Sequence, residues 1–267
     1  MKTNESTHSP NVGVIVSNML NSLEELSRNC RHLRFIRDDK MIRTESDVPY
    51  GVFNSVYGNL NTEQPDLPDE VQLIASSYRA RGQRANWMTF SEQEDEILHQ
   101  SLLANHFVHA GSLTGMELPL DQQEIAIPSV EGLAVSEVLE SKQLEQFRQM
   151  KLSLHAPGDV TAVPISDFLT DSSSPKLRRY LGIMDEKPVA TLITFSDGDI
   201  VGFYSVATSE SYRSRGIGSA MMAHALREAQ VAGMKLAVLQ STPMGLDVYS
   251  KLGFQQKLTL RIHASSF

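Results

Sequence analysis

The chain has 267 residues, 41% hydrophobic and 21% charged, a balance that excludes extended disorder; its length exceeds the needs of one small α+β unit, so two domains, or one domain with a large extension, are expected. The net charge of −8, with no basic stripe, argues against nucleic acid as the main partner and suits a cationic amine. No apolar run reaches the length of a membrane span and residues 1–10 lack a signal-peptide core, so a cytoplasmic protein with no membrane partner is expected. Cys30 is the only cysteine and the eight histidines show no ligand spacing, so neither a disulfide nor a metal is implied.

In the first half, Val52-Phe53-Asn54-Ser55-Val56-Tyr57 resembles Gly202-Phe203-Tyr204-Ser205-Val206-Ala207. The loop Gly58-Asn59-Leu60-Asn61-Thr62-Glu63-Gln64-Pro65-Asp66 follows, then a helical segment ending near Gly82. Arg79 to Gly82 places basic residues at that helix end, where they complement the dipole. Ala85 to Phe90 reads as a strand, and a further helix ends at Asn105-His106-Phe107. A boundary falls at Leu118 to Glu124, with domains expected over 1–120 and 121–267, the second opening on an apolar strand at Ile125-Ala126-Ile127-Pro128. Ser141 to Leu154 carries Leu144, Phe147, Met150 and Leu154 on one helical face, interrupted at Pro157-Gly158-Asp159. Tyr180 to Met184, Val189 to Phe195 and Ile200 to Thr208 form a meander turning at Asp185-Glu186-Lys187 and Asp197-Gly198.

The next stretch, Ser211-Tyr212-Arg213-Ser214-Arg215-Gly216-Ile217-Gly218-Ser219-Ala220, runs from the last of these strands into a helix. Glycines at 216 and 218 let the backbone approach a ligand, and the unpaired N–H groups opening a helix favour an anion. A phosphate-cradling P-loop needs a Lys that this segment lacks, and a dinucleotide fingerprint needs a glycine where Met221 stands. The helix carries Ile217, Met221, Ala225, Leu226 and Ala229 on its apolar face and stops at Gly233. A buried strand at Leu236-Ala237-Val238-Leu239 follows, then a helix expected to start with Thr242 as N-cap and Pro243 at its first position. It ends in Tyr249-Ser250-Lys251-Leu252-Gly253-Phe254, before a last strand over Gln256 to His263.

Arg213, Gly216 and Gly218 match the R-x-x-G-x-G/A motif of the GNAT N-acyltransferases, and Tyr249, Gly253 and Phe254 resemble the family's Y-x-x-x-G-F signature. Ala237-Val238-Leu239-Gln240-Ser241-Thr242-Pro243-Met244-Gly245 is similar to a subgroup with a tandem architecture. The likeness is strong over the C-terminal half, with Thr242 standing where many members carry Asn. It implies an α+β fold of two GNAT-like domains, each a mixed, mostly antiparallel sheet flanked by helices. It also implies acetyl-CoA, or another acyl-CoA, as co-substrate without a metal. Val206, Ala207 and Thr208 would align pantetheine, Arg213, Ser214, Arg215, Gly216, Ile217, Gly218 and Ser219 would cradle pyrophosphate, and Tyr249 would protonate the leaving sulfur.

The first half reads as a diverged copy. Val52 to Tyr57 matches Gly202 to Ala207, and the helix ending at Phe107 matches the one ending at Phe254, but Leu102 stands in the place of Tyr249. The loop after Tyr57 carries acidic residues and no R-x-x-G-x-G, so this copy is expected to be a scaffold without acyl-CoA. The resemblance implies direct acyl transfer to a primary amine in a ternary complex, a small-molecule amine being favoured over a protein amine, by a monomer or homodimer. Glu210 and His155 are the candidate general bases, beside a water chain or an amine already deprotonated; Ser241 and Thr242 lie where they could touch cofactor or substrate. A non-catalytic acyl-CoA sensor and a longer acyl donor are the alternatives.

Overall fold

The computed structural model describes residues 13–38, 41–58, 66–90, 95–121 and 124–267. Residues 59–65, most of the acidic loop after Tyr57, lie outside the described residues, as do 122–123 at the expected boundary. In chain order the elements are α1 (Val14–Ser27), β1 (Arg34–Arg37), β2 (Ile42–Glu45), β3 (Ser55–Tyr57), α2 (Leu67–Ala80), β4 (Asn86–Thr89), α3 (Glu96–Ala104) and β5 (Phe107–Pro119). They continue with β6 (Ala134–Glu137), α4 (Ser141–Leu152), α5 (Ala162–Thr170), β7 (Leu177–Met184), β8 (Lys187–Asp197), β9 (Ile200–Thr208), α6 (Ile217–Val231), β10 (Leu236–Ser241), α7 (Leu246–Lys251) and β11 (Gln255–Ser265). No helix among the described residues is long and apolar enough to cross a membrane.

The strands form one 11-stranded sheet in the order β1-β2-β3-β4-β11-β5-β10-β9-β8-β7-β6. Turn chemistry sets the antiparallel part: Asp185 and Glu186, both at positive φ, close the β7–β8 hairpin, and Gly198 turns β8 into β9. Helical crossovers make the parallel pairs, β3 with β4 across α2 and β9 with β10 across α6. From β1 to β5 and again from β7 to β11 the chain runs through one order, three strands, a helix, a strand, a helix and a strand, in a mixed, mostly antiparallel α+β fold. The last strands of these two runs are exchanged at the centre: β5 lies between β10 and β11, and β11 between β4 and β5.

Alternation along the strands builds a core on each face. Leu192 packs with Val201, Phe203, Leu239 and the α6 residues Met221, Met222 and Leu226, while its neighbour Ile193 packs with Leu20 and Leu23 of α1, Phe147 of α4 and Phe168 of α5. A third cluster joins α2 and α3 to Trp87 and Phe107.

Several local expectations change. Ile125 to Pro128 is not a strand: Pro128 cannot donate to a ladder, the segment is mostly exposed, and β6 comes later. Val52 and Phe53 lie in a 3-10 turn, so only Ser55 to Tyr57 is extended. The helix α4 ends at Leu152, leaving Leu154 exposed, and α5 was not anticipated. Pro243 does not open a helix. The carbonyl of Thr242 closes a turn by accepting from Gly245 N at 3.0 Å, and α7 starts only at Leu246, so Thr242 is not its N-cap.

Candidate active site

The parallel pair β9–β10 holds its register from Ile200↔Leu236 to Phe203↔Leu239 and then parts. Beyond that point β10 continues beside β5, Gln240 facing Gly115 and Ser241 facing Thr114, while β9 stays with β8. The edge of β9 from Tyr204 to Thr208 that would face β10 is therefore unpaired, which puts the backbone of Val206, Ala207 and Thr208 along an opening. A bulge lies at its base: Thr191↔Ala207 and Ile193↔Tyr204 leave one extra residue on β9, and Ser205 has φ 54°.

From Thr208 the chain passes through a 3-10 turn at Glu210–Tyr212 into α6. Arg213 Nε donates to the Thr208 carbonyl at 3.3 Å, and the Arg215 guanidinium lies 5.2 Å from the centre of the Tyr212 ring. Ser214 at φ 60° and Gly216 at φ 77° reverse the chain, and Ile217, buried under α6, anchors the new helix. The first amide to bond within the helix is Ala220 N, to the Gly216 carbonyl at 3.0 Å. The amides of Ile217, Gly218 and Ser219 open the helix without an intrahelical acceptor. Gly216 is required by its left-handed backbone, but Gly218 is not: a Cβ there would meet nothing nearer than Thr208 Oγ1 at 3.9 Å. The protein itself gives no steric reason for glycine at 218, and the helix end beside it is open to approach.

The short helix α7 follows β10 and closes with a Schellman motif, Gly253 N donating to the Ser250 carbonyl and Phe254 N to the Tyr249 carbonyl at 3.1 Å, with Gly253 at φ 96°. Tyr, Gly and Phe of the Y-x-x-x-G-F string all take part in this closure, together with the Ser250 carbonyl. The Tyr249 and Phe254 rings meet edge to face with centroids 6.1 Å apart. Burial pushes the Tyr249 phenol above its usual value, so it stays protonated. Its hydroxyl has no protein hydrogen-bond partner among the described residues.

Two groups near β9 come from elsewhere. Lys151, at the end of α4, is 6% exposed and donates to the Ser205 carbonyl at 3.1 Å. The helical stripe Leu144, Phe147, Lys151 carries the signal: a lysine at an apolar position. Asn18 of α1 accepts from the Tyr204 hydroxyl at 2.6 Å, which ties the N-terminal helix across β9. Of the candidate bases, Glu210 is exposed in the 3-10 turn. His155 follows α4, its Nδ1 2.8 Å from Asp159, whose carboxyl is held down to about 2 first by the Thr161 hydroxyl and then by His155. Ser241 is buried with its hydroxyl on the Thr242 carbonyl, and Thr242 is exposed.

The corresponding place in the first half is closed. Here β3 and β4 remain paired to the strand end, Tyr57 facing Met88, and Gly58 N donates to the Met88 carbonyl at 3.2 Å. Met41, Leu67, Trp87 and Leu98 pack together beside it, and Asp69 and Glu70 occupy the first turn of α2. His106, at φ 64°, ends α3 as Gly253 ends α7, with Leu102 in the place of Tyr249. Arg79 stacks on Phe267 at the end of α2.

Residues 178–256 match the family model described as Acetyltransferase (GNAT) domain. No curated protein matches the chain. Among solved structures, a GCN5-related N-acetyltransferase from Kribbella flavida aligns with a TM-score of 0.67 at 17% identity, over 96% of this chain and 97% of that one. A GCN5-related N-acetyltransferase from Sphaerobacter thermophilus aligns with a TM-score of 0.65 at 13% identity, over 96% and 91%. A tandem GNAT protein from the clavulanic acid biosynthesis pathway aligns with a TM-score of 0.59 at 11% identity, over 94% of both chains. At these identities the likeness is one of fold, and it extends past the matched domain to nearly the whole chain. The parted strands, the glycine turn into α6 and the tyrosine on α7 all fall within the matched residues, so residues 178–256 carry a GNAT acetyltransferase domain within a chain whose whole fold resembles GCN5-related N-acetyltransferases.

Proposed function

We propose that the second half is an acyl-CoA-dependent N-acyltransferase that passes acetyl from acetyl-CoA to a primary amine by direct attack in a ternary complex. The first half, residues 1–120, is a degenerate copy that walls the cleft. The observation that carries this reading is the parting of β9 and β10 after Phe203↔Leu239, beside a helix N-terminus with free amides, while β3 and β4 stay closed. The thioester supplies an activated acyl carbon. The neutral amine nitrogen attacks that carbon, the carbon–sulfur bond breaks as Tyr249 gives its proton to the departing sulfur, and the proton that the acylated nitrogen sheds passes through water to restore the Tyr249 phenol. The amides of Val206 to Thr208 hold the pantetheine arm and stabilise charge on the carbonyl oxygen. The amides of Ile217, Gly218 and Ser219, with Arg213, Ser214, Arg215 and Gly216, hold the pyrophosphate.

A small-molecule amine is favoured because α1 lies across the opening. It is tied to β9 by Asn18 and to β10 by Gln240, whose Nε2 donates to the Ile15 carbonyl at 3.4 Å. The test is thiol release from acetyl-CoA against a panel of amines, native chain beside Tyr249→Phe. Amine-dependent release is expected, with kcat about 100-fold lower in the variant and acetyl-CoA affinity unchanged. Acetyl-CoA binding with no release against any small or peptide amine would instead make the chain a sensor.

A further inference from the structure

Resting on the transferase reading, we propose that Lys151 is a positioning residue for acyl transfer: seated on the Ser205 carbonyl, its ammonium fixes and polarises the Ser205–Val206 peptide, making the Val206 amide a stronger donor to the acyl oxygen. Three observations meet at this one peptide. Ser205 holds φ 54°, a left-handed conformation that a serine adopts only at a cost. Lys151 reaches it from α4 at 3.1 Å. The lysine is buried with no carboxylate in salt-bridge reach among the described residues, and burial is the cause that lowers its pKa to about 8.

The neighbouring charges are engaged elsewhere. Asp167 of α5 takes Arg148, Arg31 and His32. Asp159 takes His155, and the Arg179 guanidinium of β7 donates to the carbonyls of Leu169 and Ser172. The Tyr204 hydroxyl is on Asn18. On β8, which also packs against α4, Asp197 pairs with Lys176 and accepts from Asn21, and Lys187 is exposed. Among the described residues, the Ser205 carbonyl is the one hydrogen-bond partner of this ammonium, and no opposite charge offsets its burial.

In a trans peptide the carbonyl and the N–H point in opposite directions. An ammonium on the oxygen therefore fixes where the Val206 N–H points, and the two hydrogen bonds of one peptide strengthen each other. Val206 lies on the edge of β9 that β10 leaves unpaired, where an acyl carbonyl would find its donors.

The experiment follows the Val206 amide nitrogen, observed by carbon detection through the Ser205 carbonyl carbon of isotope-labelled protein so that proton exchange does not erase it, from pH 6 to 10 in the native chain, Lys151→Met and Lys151→Arg, with thiol-release kinetics in parallel. In the native chain the amide nitrogen is expected to move upfield as pH rises, with a midpoint at about 8. In Lys151→Met it should sit upfield throughout and not titrate; in Lys151→Arg it should keep the low-pH position. Lys151→Met should lose about tenfold in kcat with its KM for acetyl-CoA within about twofold, and Lys151→Arg should recover most of the loss. A Val206 amide that does not respond to pH or to Lys151→Met overturns the inference, as does native kcat in a folded Lys151→Met. The titration needs no acceptor amine, so absent thiol release in the native chain strikes the transferase reading alone.

Discussion

A buried ammonium without a carboxylate opposes folding in proportion to the fall in its pKa, and Lys151 falls from its ordinary 10.5 to about 8. Because the folded value is the lower one, the unfolded chain binds more protons between pH 8 and 10.5, and stability rises with pH across that window. Below pH 8 the full cost is present, of the order of 3 kcal/mol at about 1.4 kcal/mol per pH unit. Lys151→Met removes it and leaves the Ser205 carbonyl unpaired, which costs about 1 kcal/mol. The variant is therefore expected to be about 1–2 kcal/mol more stable than the native chain at pH 7. That margin should shrink steadily as pH is taken from 8 to 10.5, as read by urea unfolding; a variant less stable at pH 7 contradicts the account. Greater stability joined to slower turnover is what a residue kept for its chemistry produces.

At the scale of elements, the two glycines that open α6 have different reasons. Gly216 sits at φ 77°, so Gly216→Ala should cost about 1 kcal/mol in thermal or denaturant unfolding whether or not ligand is present. Gly218 has open space around it, and an alanine there suits a helix better by up to about 1 kcal/mol. Gly218→Ala is thus expected to hold or raise the melting temperature while weakening acetyl-CoA binding severalfold by calorimetry. Unchanged affinity would remove the pyrophosphate from this end of the helix. These glycines were legible in the sequence because positive φ and helix opening are local chemistry, and so was the Tyr249 to Phe254 closure, which one short string completes. The Ser205 bulge, the parting of β9 from β10 and the seat of Lys151 were not legible, because each depends on which distant strand or helix lies alongside. Thr242-Pro243 misled for the same reason: the chain leaving β10 needs a turn before α7 can begin, and the Thr242 carbonyl is used to make it.

At the scale of the molecule, the exchange of β5 and β11 binds the halves more tightly than a boundary near residue 120 suggests. β11 fills the place between β4 and β5, in register from Arg261↔Thr89 to Ala264↔Asn86, and α1 from the first half covers the sheet of the second beside α4 and α5. Neither half can complete its sheet alone, since each ends in a strand whose neighbours include strands of the other, and an uncovered strand edge invites association. The chain has one tryptophan, Trp87, buried in the first half. Its fluorescence reports that half, while far-ultraviolet circular dichroism reports the whole. The two unfolding curves in urea are expected to coincide, as one cooperative unit requires. Residues 1–120 and 121–267 made separately should each associate or remain unfolded, and their mixture should give a one-to-one complex that regains acetyl-CoA binding. A monomeric 121–267 that binds acetyl-CoA as tightly as the full chain would show that the exchanged strand is dispensable and that the first half is an attachment to the site, not a wall of it.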